Sequence, residues 1–260
     1  VRFERRDVGR NHSYWLDGRR LPGVTTILND GKPKPALVNW AATATASAAV
    51  DRWDELAALP VSERLAILRR APNEARDSAA LRGQEIHHLA WSLVTGEAVD
   101  VPDEHLGPVQ AAAKFLDHHG VQPILREVPV LNVTHGWAGT IDLLGRVGGP
   151  DRVGGPVWLL DWKTGKGVYD EAALQLAAYA HAEWYQDEAG QLQPWHAPDR
   201  CGVVHLSSDD ATLYPVDAGD DTYLAFRYIA QVAGWSGKVR AAYREGEQWP
   251  IGAALVGAES

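Results

Sequence analysis

The run Val157-Trp158-Leu159-Leu160 passes straight into Asp161, Trp162 and Lys163, and then into Thr164, Gly165, Lys166 and Gly167. The four apolar residues read as a buried strand of a core. Its end carries a carboxylate and an ammonium. Strand side chains alternate with period two, so Asp161 and Lys163 share a face with Leu159, while Leu160 and Trp162 take the other. Such a pair is ordinarily a surface ion pair. Three features raise a functional reading beside that one. The strand is apolar enough to be central, Gly165 and Gly167 allow close approach, and Asp142 sits in a neighbouring strand between Ile141 and Leu143. A carboxylate there is costly unless it binds something.

The pattern elsewhere divides the chain. Residues 1–30 read as short strands with turn signals at Asp17-Gly18 and Pro22-Gly23. The alanine-rich stretch 36–70 reads as helix in two pieces broken near Pro60, and Pro72-Asn73 as a boundary. A helix over 74–95 ends at Thr95-Gly96-Glu97, and another over 104–119 closes at Gly120. Then the period changes. "ILREVPVLNV", "WAGTIDLLGRV" and "VWLLDWKT" are successive strands, the last two joined by the hairpin loop "GGPDRVGGP". A helix over 170–188 follows with Asp170 as N-cap, then a strand pair in "CGVVHLSSDDATLYPV", a helix over 220–235 and a loose tail from about 244. The expectation is an α/β fold: a mixed central β-sheet flanked by helices, with a helical N-terminal appendage. The divisions expected are 1–75 for the appendage, 76–243 for the core and 244–260 for the tail.

With 260 residues, 45% of them apolar, the chain can bury one sizeable core. Its one cysteine, Cys201, excludes a disulfide framework, a four-thiolate zinc site and an iron–sulfur cluster built from this chain. No stretch has the roughly 18–20 apolar residues of a membrane span, and "VRFERRDVGR" lacks the apolar centre of a signal peptide. A soluble, cytoplasmic protein is expected, without membrane partners. A net charge of -9 argues against a protein that coats nucleic acid nonspecifically. The basic residues are uneven, however. Arg2, Arg5, Arg6, Arg10, Arg19 and Arg20 crowd the N-terminus, either as a solvated face or as phosphate contacts.

Asp142 and Asp161 on adjacent strands can converge, and their repulsion is relieved by a divalent cation. Oxygen ligation favours Mg²⁺ or Mn²⁺ over zinc. A lysine alongside can orient a water or stabilise charge on a phosphorus centre under attack. That is the chemistry of phosphodiester hydrolysis.

Asp142 followed by Asp161-x-Lys163 resembles the signature of the PD-(D/E)XK nucleases. "RGQEIHHLA" resembles the glycine-x-x-x-histidine helix of their RecB-like branch, and "QLAAY" its glutamine-x-x-x-tyrosine motif, Gln175 and Tyr179. "EVPV" resembles its first core strand, with Glu127 as the acidic residue. "YWLDGRRLPGVTTIL" is similar to the proline-small-valine-threonine segment of phage and mitochondrial genome-maintenance exonucleases, with Gly23 where serine is usual. The motifs occur in family order over residues 80–215. The resemblance implies a restriction-endonuclease-like core. It implies one or two Mg²⁺ or Mn²⁺ ions held by His87, Asp142, Asp161 and the Trp162 carbonyl, with Glu127 as ligand or surface residue. His88 competes with His87 for the ligand position. Lys163 would tend the attacking water.

Gln175 and Tyr179, four apart, share a helical face. They form either an ordinary amphipathic face or a contact to the active-site strand and the substrate. Thr25, Thr26, Arg82 and Lys166 are further substrate-binding candidates. Tyr14, Trp137 and Trp162 are either core residues or platforms for bases. The function expected is a metal-dependent DNA exonuclease acting on a free or single-stranded end, in phage or bacterial replication, recombination or repair. A structure-specific endonuclease, a non-catalytic DNA-binding module and a hydrolase of small phosphoesters are the alternatives.

Overall fold

A computed structural model of the chain describes residues 2–8, 11–94, 99–149, 154–165 and 167–245. It opens with strands β1 (Phe3–Val8), β2 (Asn11–Leu16) and β3 (Arg19–Leu21). Helices α1 (Val24–Gly31), α2 (Pro35–Asp51), α3 (Trp53–Ala57), α4 (Val61–Val94) and α5 (Asp103–His118) follow. Then come β4 (Val121–Arg126), β5 (Pro129–Asn132), β6 (Trp137–Thr140), β7 (Leu143–Val147) and β8 (Val157–Lys163). The chain continues through α6 (Glu171–Ala180), β9 (Trp184–Gln186), β10 (Leu192–Pro194), β11 (Arg200–Leu206), β12 (Ala211–Val216) and α7 (Asp220–Glu245).

Strand β8 is central, as its apolar run requires. The main sheet has the order β12-β11-β8-β7-β4 and is mixed: β8 pairs parallel with β11 and antiparallel with β7. Its two faces are covered differently. Leu159 packs with Ala172, Leu176 and Phe226 on the side of α1, α6 and α7, whereas Leu160 and Trp162 pack with Ile86, Ala90 and Phe115 of α4 and α5. Leu159 and Leu160 are fully buried, which stabilises the fold by about 1.5–3 kcal/mol for each side chain. The protein is thus α/β, a mixed sheet flanked by helices. Among the described residues no helix is long and apolar enough to cross a membrane.

A second sheet, β10-β9-β5-β6, is reached by two strands that leave the first together. The expected strand 137–147 breaks at Ile141 and Asp142 into β6 and β7, and its partner breaks at Glu127 and Val128 into β4 and β5. One long hairpin therefore bends from the main sheet into the smaller one. Glu127, at φ +48°, takes the sharp step. The three-stranded β1-β2-β3 unit adjoins β6: Pro22 accepts the Ala138 N–H at 3.1 Å, and the hydroxyls of Tyr14 and Thr140 lie 2.8 Å apart.

Several local expectations change. The β-branched run after Gly23 is helix α1, because Val24, Ile27 and Leu28 fall on one face and are buried. No boundary occurs at Pro72; α4 runs through it and through the expected division at 75/76. Pro72 forgoes the bond to the Leu68 carbonyl, and packing against α2 and α5 carries the helix on. Helix α6 stops at Ala180, since Trp184 and Tyr185 pair with β5. Asp170 precedes α6 without a side-chain cap and instead accepts from Lys32 Nζ at 3.1 Å. Helix α7 reaches Glu245, ten residues beyond expectation. The hairpin turn at Asp17-Gly18 stands, both residues having positive φ as a tight turn of this hand requires. Gly120, φ +54°, follows the α5 cap as expected. Thr95-Gly96-Glu97 and the tail after 245 lie outside the described residues.

Candidate active site at the hairpin break

The break brings three acids onto one rung. Arg126 pairs with Leu143, and Leu143 with Leu160. One residue further along, Glu127 stands opposite Asp142 and Asp142 opposite Asp161. The Glu127 N–H donates to the Asp142 carbonyl at 3.1 Å, so the rung is continuous. Beyond it the hairpin has turned away, and β8 runs on without that neighbour. The Trp162 N–H, which would otherwise meet backbone, donates to Asp142 Oδ2 at 2.8 Å. A carboxylate thus replaces the missing strand.

Asp161 is 3% exposed. Gln175 Nε2 of α6 donates to its Oδ1 at 3.1 Å. Lys163 Nζ lies 2.5 Å from the buried Oδ2 as an ion pair. Burial pushes the Asp161 carboxyl up to about 6; Lys163 opposes that shift and Asp142 adds to it. Asp142 is raised as well, chiefly by burial, against the pull of Lys163 and of the Trp162 N–H. Burial works against the Lys163 charge, but Asp161 and Asp142 outweigh it and hold the ammonium above its ordinary value. Both buried carboxyls thus hold a proton more tightly than usual, beside an ammonium that they hold above its ordinary value.

The helices are seated by small residues. A Cβ on Gly83 would come 3.1 Å from Thr164 Oγ1, so glycine lets α4 close onto the segment after Lys163. One turn later His87 is half-buried; burial holds its imidazole below the ordinary value, and Asp161 partly offsets this. On β6, a Cβ on Gly139 would run into the Tyr179 ring. Tyr179 is buried, its hydroxyl 3.5 Å from Gln175 Nε2, and its phenol is raised by burial.

Above the rung lies a cleft of about 720 Å³. Glu127, Asp142, His87, His88, Gln175 and Tyr179 line it. So do Arg5, Arg20, Thr25 and Thr26, from the N-terminal strands and α1. Helix α1 begins at Gly23 in extended conformation with no side-chain cap, so its first N–H groups lack intrahelical partners where Gly23, Val24, Thr25 and Thr26 meet the cleft. The cleft thus joins two acids of the hairpin break to donors from the N-terminal strands and α1.

The structure therefore draws together Glu127, Asp142, Asp161, Lys163, His87, Gln175, Tyr179, Thr25 and Thr26. Asp161 and Lys163 do not themselves line the cleft; Asp161 reaches it through Gln175. Arg82 is exposed on α4 and does not line it. Lys166 lies outside the described residues, as does Arg10. Tyr14, Trp137 and Trp162 are 3%, 1% and 8% exposed, so they are core residues and not platforms for bases. His12, Ser13 and Gln84 also line the cleft. Nothing in the local sequence marks His12 and Ser13, because it is the docking of β2 on β6 that brings the N-terminal strands there; Gln84 comes from α4, beside Gly83. Among the described residues no three His, Cys, Asp or Glu side chains are gathered to hold a metal ion as they stand.

No family model and no curated protein matches the chain. Among solved structures, "Crystal structure of SSO0001" is similar at 17% identity, covering 62% of this chain and 70% of that one with a TM-score of 0.29.

Proposed function

We propose that this chain is a divalent-metal-dependent deoxyribonuclease, an exonuclease hydrolysing DNA that offers a free or single-stranded end. The observation that carries the reading is the rung Glu127–Asp142–Asp161 with Lys163 ion-paired at its end, beneath a cleft that donors of the N-terminal strands and α1 also line. The donors fit Mg²⁺ or Mn²⁺. Asp142 and Asp161 supply carboxylate oxygen, the donor type these ions favour, from two buried groups whose charged forms burial disfavours and a cation would favour. A strand residue presents its N–H and C=O to the same side, so the Trp162 carbonyl faces the side of Asp142, which its N–H already meets. His87 would complete the set and Glu127 extend it. The bound ion would supply charge neutralisation at the scissile phosphate and a more acidic water.

The chain's own groups do the rest. Gln175 fixes the Asp161 carboxylate, and Asp161 fixes Lys163. The Lys163 ammonium is then placed to donate to the attacking water and orient it. Arg5, Arg20 and the start of α1 hold the phosphates flanking the cut. The resemblance of the motifs to those of exonucleases supports preference for an end, and bacterial or phage DNA recombination and repair as the setting.

The test is Mn²⁺-dependent digestion of single- and double-stranded oligonucleotides labelled at either end, beside a closed circle. The expected result is loss of label from linear DNA and an intact circle, with activity falling roughly 10²–10³-fold or more in Asp161→Ala and Lys163→Ala. Cutting at the parent rate by either folded variant would refute the mechanism, and cutting of the circle would refute the exonuclease.

A further inference from the structure

Helix α7 has two apolar faces, and the core uses one of them. Tyr223, Phe226 and Ala233 are buried, with Ile229 and Ala230 packed beside them toward α1 and α6. The opposite side carries Leu224, Tyr228, Val232 and Trp235, exposed by 41%, 59%, 52% and 54%. Their spacings of four, four and three residues keep them in one straight stripe, about 16 Å long at the rise of an α-helix. Scattered exposed apolar residues are ordinary; an aligned row of four that includes a Tyr and a Trp is a contact surface. None of the four lines the cleft.

The charges at the ends of the stripe say what covers it. Asp221 lies one turn before Leu224 and Lys238 one turn after Trp235, and both are exposed. When two copies of α7 pack antiparallel with Leu224 of each over Trp235 of the other, the same register sets Asp221 of each against Lys238 of the other. Tyr228 and Val232 then meet at the centre. The surface is complementary to itself, which is the requirement of a two-fold contact in which one patch serves both partners. A parallel pairing would instead set Asp221 against Asp221 and Lys238 against Lys238.

We infer that the outer face of α7 is a homodimer interface, a second copy of this chain packing antiparallel across Leu224, Tyr228, Val232 and Trp235. The hydrophobic row supplies the affinity, and the Asp221–Lys238 pairs set direction and register. This inference is independent of the proposed nuclease activity.

Sedimentation equilibrium of the full chain from low to high micromolar concentration tests it. The parent is expected to show a reversible monomer–dimer equilibrium. Tyr228→Glu with Trp235→Glu is expected to be monomeric with an unchanged circular dichroism spectrum, since both side chains point away from the core. Asp221→Lys is expected to weaken the dimer about tenfold, and adding Lys238→Asp to restore it. A parent that is monomeric throughout overturns the inference, including the case in which deleting 246–260 releases a dimer, which would make the chain's own tail the cover. A dimer that survives the double glutamate variant, or a charge swap that fails to restore association, also overturns it.

Discussion

The Asp142 carboxylate accepts the Trp162 N–H at 2.8 Å, where a neighbouring strand would otherwise supply a backbone carbonyl. This one bond joins fold and site. It satisfies a donor that the departing hairpin leaves exposed, and it fixes one oxygen of a carboxylate that faces the cleft. Asp142 is therefore structural as well as a candidate ligand. Its replacement by Ala should be more damaging to stability than that of Glu127, which is exposed.

The dependence on pH follows from Asp161. Its carboxyl, raised by burial to about 6 from 3.8, binds a proton more tightly in the folded chain than in the unfolded one. Its contribution to stability is thus whole below the unfolded value and is lost as pH rises through about 6. A divalent cation bound as proposed would compete with that proton. Mn²⁺ is expected to raise the melting temperature at pH 7.5 and to lose the effect near pH 5, and Asp161→Asn to abolish the Mn²⁺ response. Scanning calorimetry with and without Mn²⁺ at the two pH values checks this; an equal shift at both would detach the cation from Asp161.

Gly139 stands against the Tyr179 ring with no room for a methyl group. Gly139→Ala should destabilise by about 1–3 kcal/mol through overpacking and displace the Tyr179–Gln175–Asp161 chain, lowering turnover in the surviving folded fraction. Gly165→Ala, which meets nothing within 4 Å, is the control and should leave the urea midpoint nearly unchanged. Equal midpoints for the two variants would contradict the packing described here.

Arg5 and Arg20 line the same cleft as Glu127 and Asp142. Arg5→Ala and Arg20→Ala should weaken DNA binding with little effect on turnover at saturation, and each should reduce the slope of log affinity against log salt by about one. Fluorescence anisotropy with labelled DNA across a salt series measures both. Unchanged slopes would remove these arginines from the interface.

Cys201 is 7% exposed and its thiol is pushed up to about 12 by burial. Dithionitrobenzoate at pH 8 is expected to leave it unmodified in the folded chain and to titrate one thiol in guanidinium. Rapid labelling of the native protein would show that β11 is not packed as described.

The placement of the candidate residues was legible in part, from period two on the strand and from the motifs that resemble a known family. The apolar run through Leu160 marked a central strand, and period two set Asp161 and Lys163 on the face of Leu159, where Gln175 now bonds Asp161. Gly83 and His87 share a helical face at the expected place. The break at Asp142 was not legible, because "WAGTIDLLGRV" has the composition of one strand and only the second sheet forces it into two. Pro72 misled for the same reason: a local signal was overruled by helices packed alongside. Tyr14 and Trp137 are aromatic in sequence but core in space, and no local pattern distinguishes the two. The N-terminal donors of the cleft depend on β2 meeting β6 across more than a hundred residues, a distance that periodicity does not see.

The step at Glu127 and Asp142 ties the architecture to the candidate site. Straightening the long hairpin would merge two sheets into one and in the same movement pull two acids off their rung. Grafting the acids onto another scaffold would therefore mean carrying the fracture line with them. The crease, not either strand alone, is the unit that would have to be transplanted.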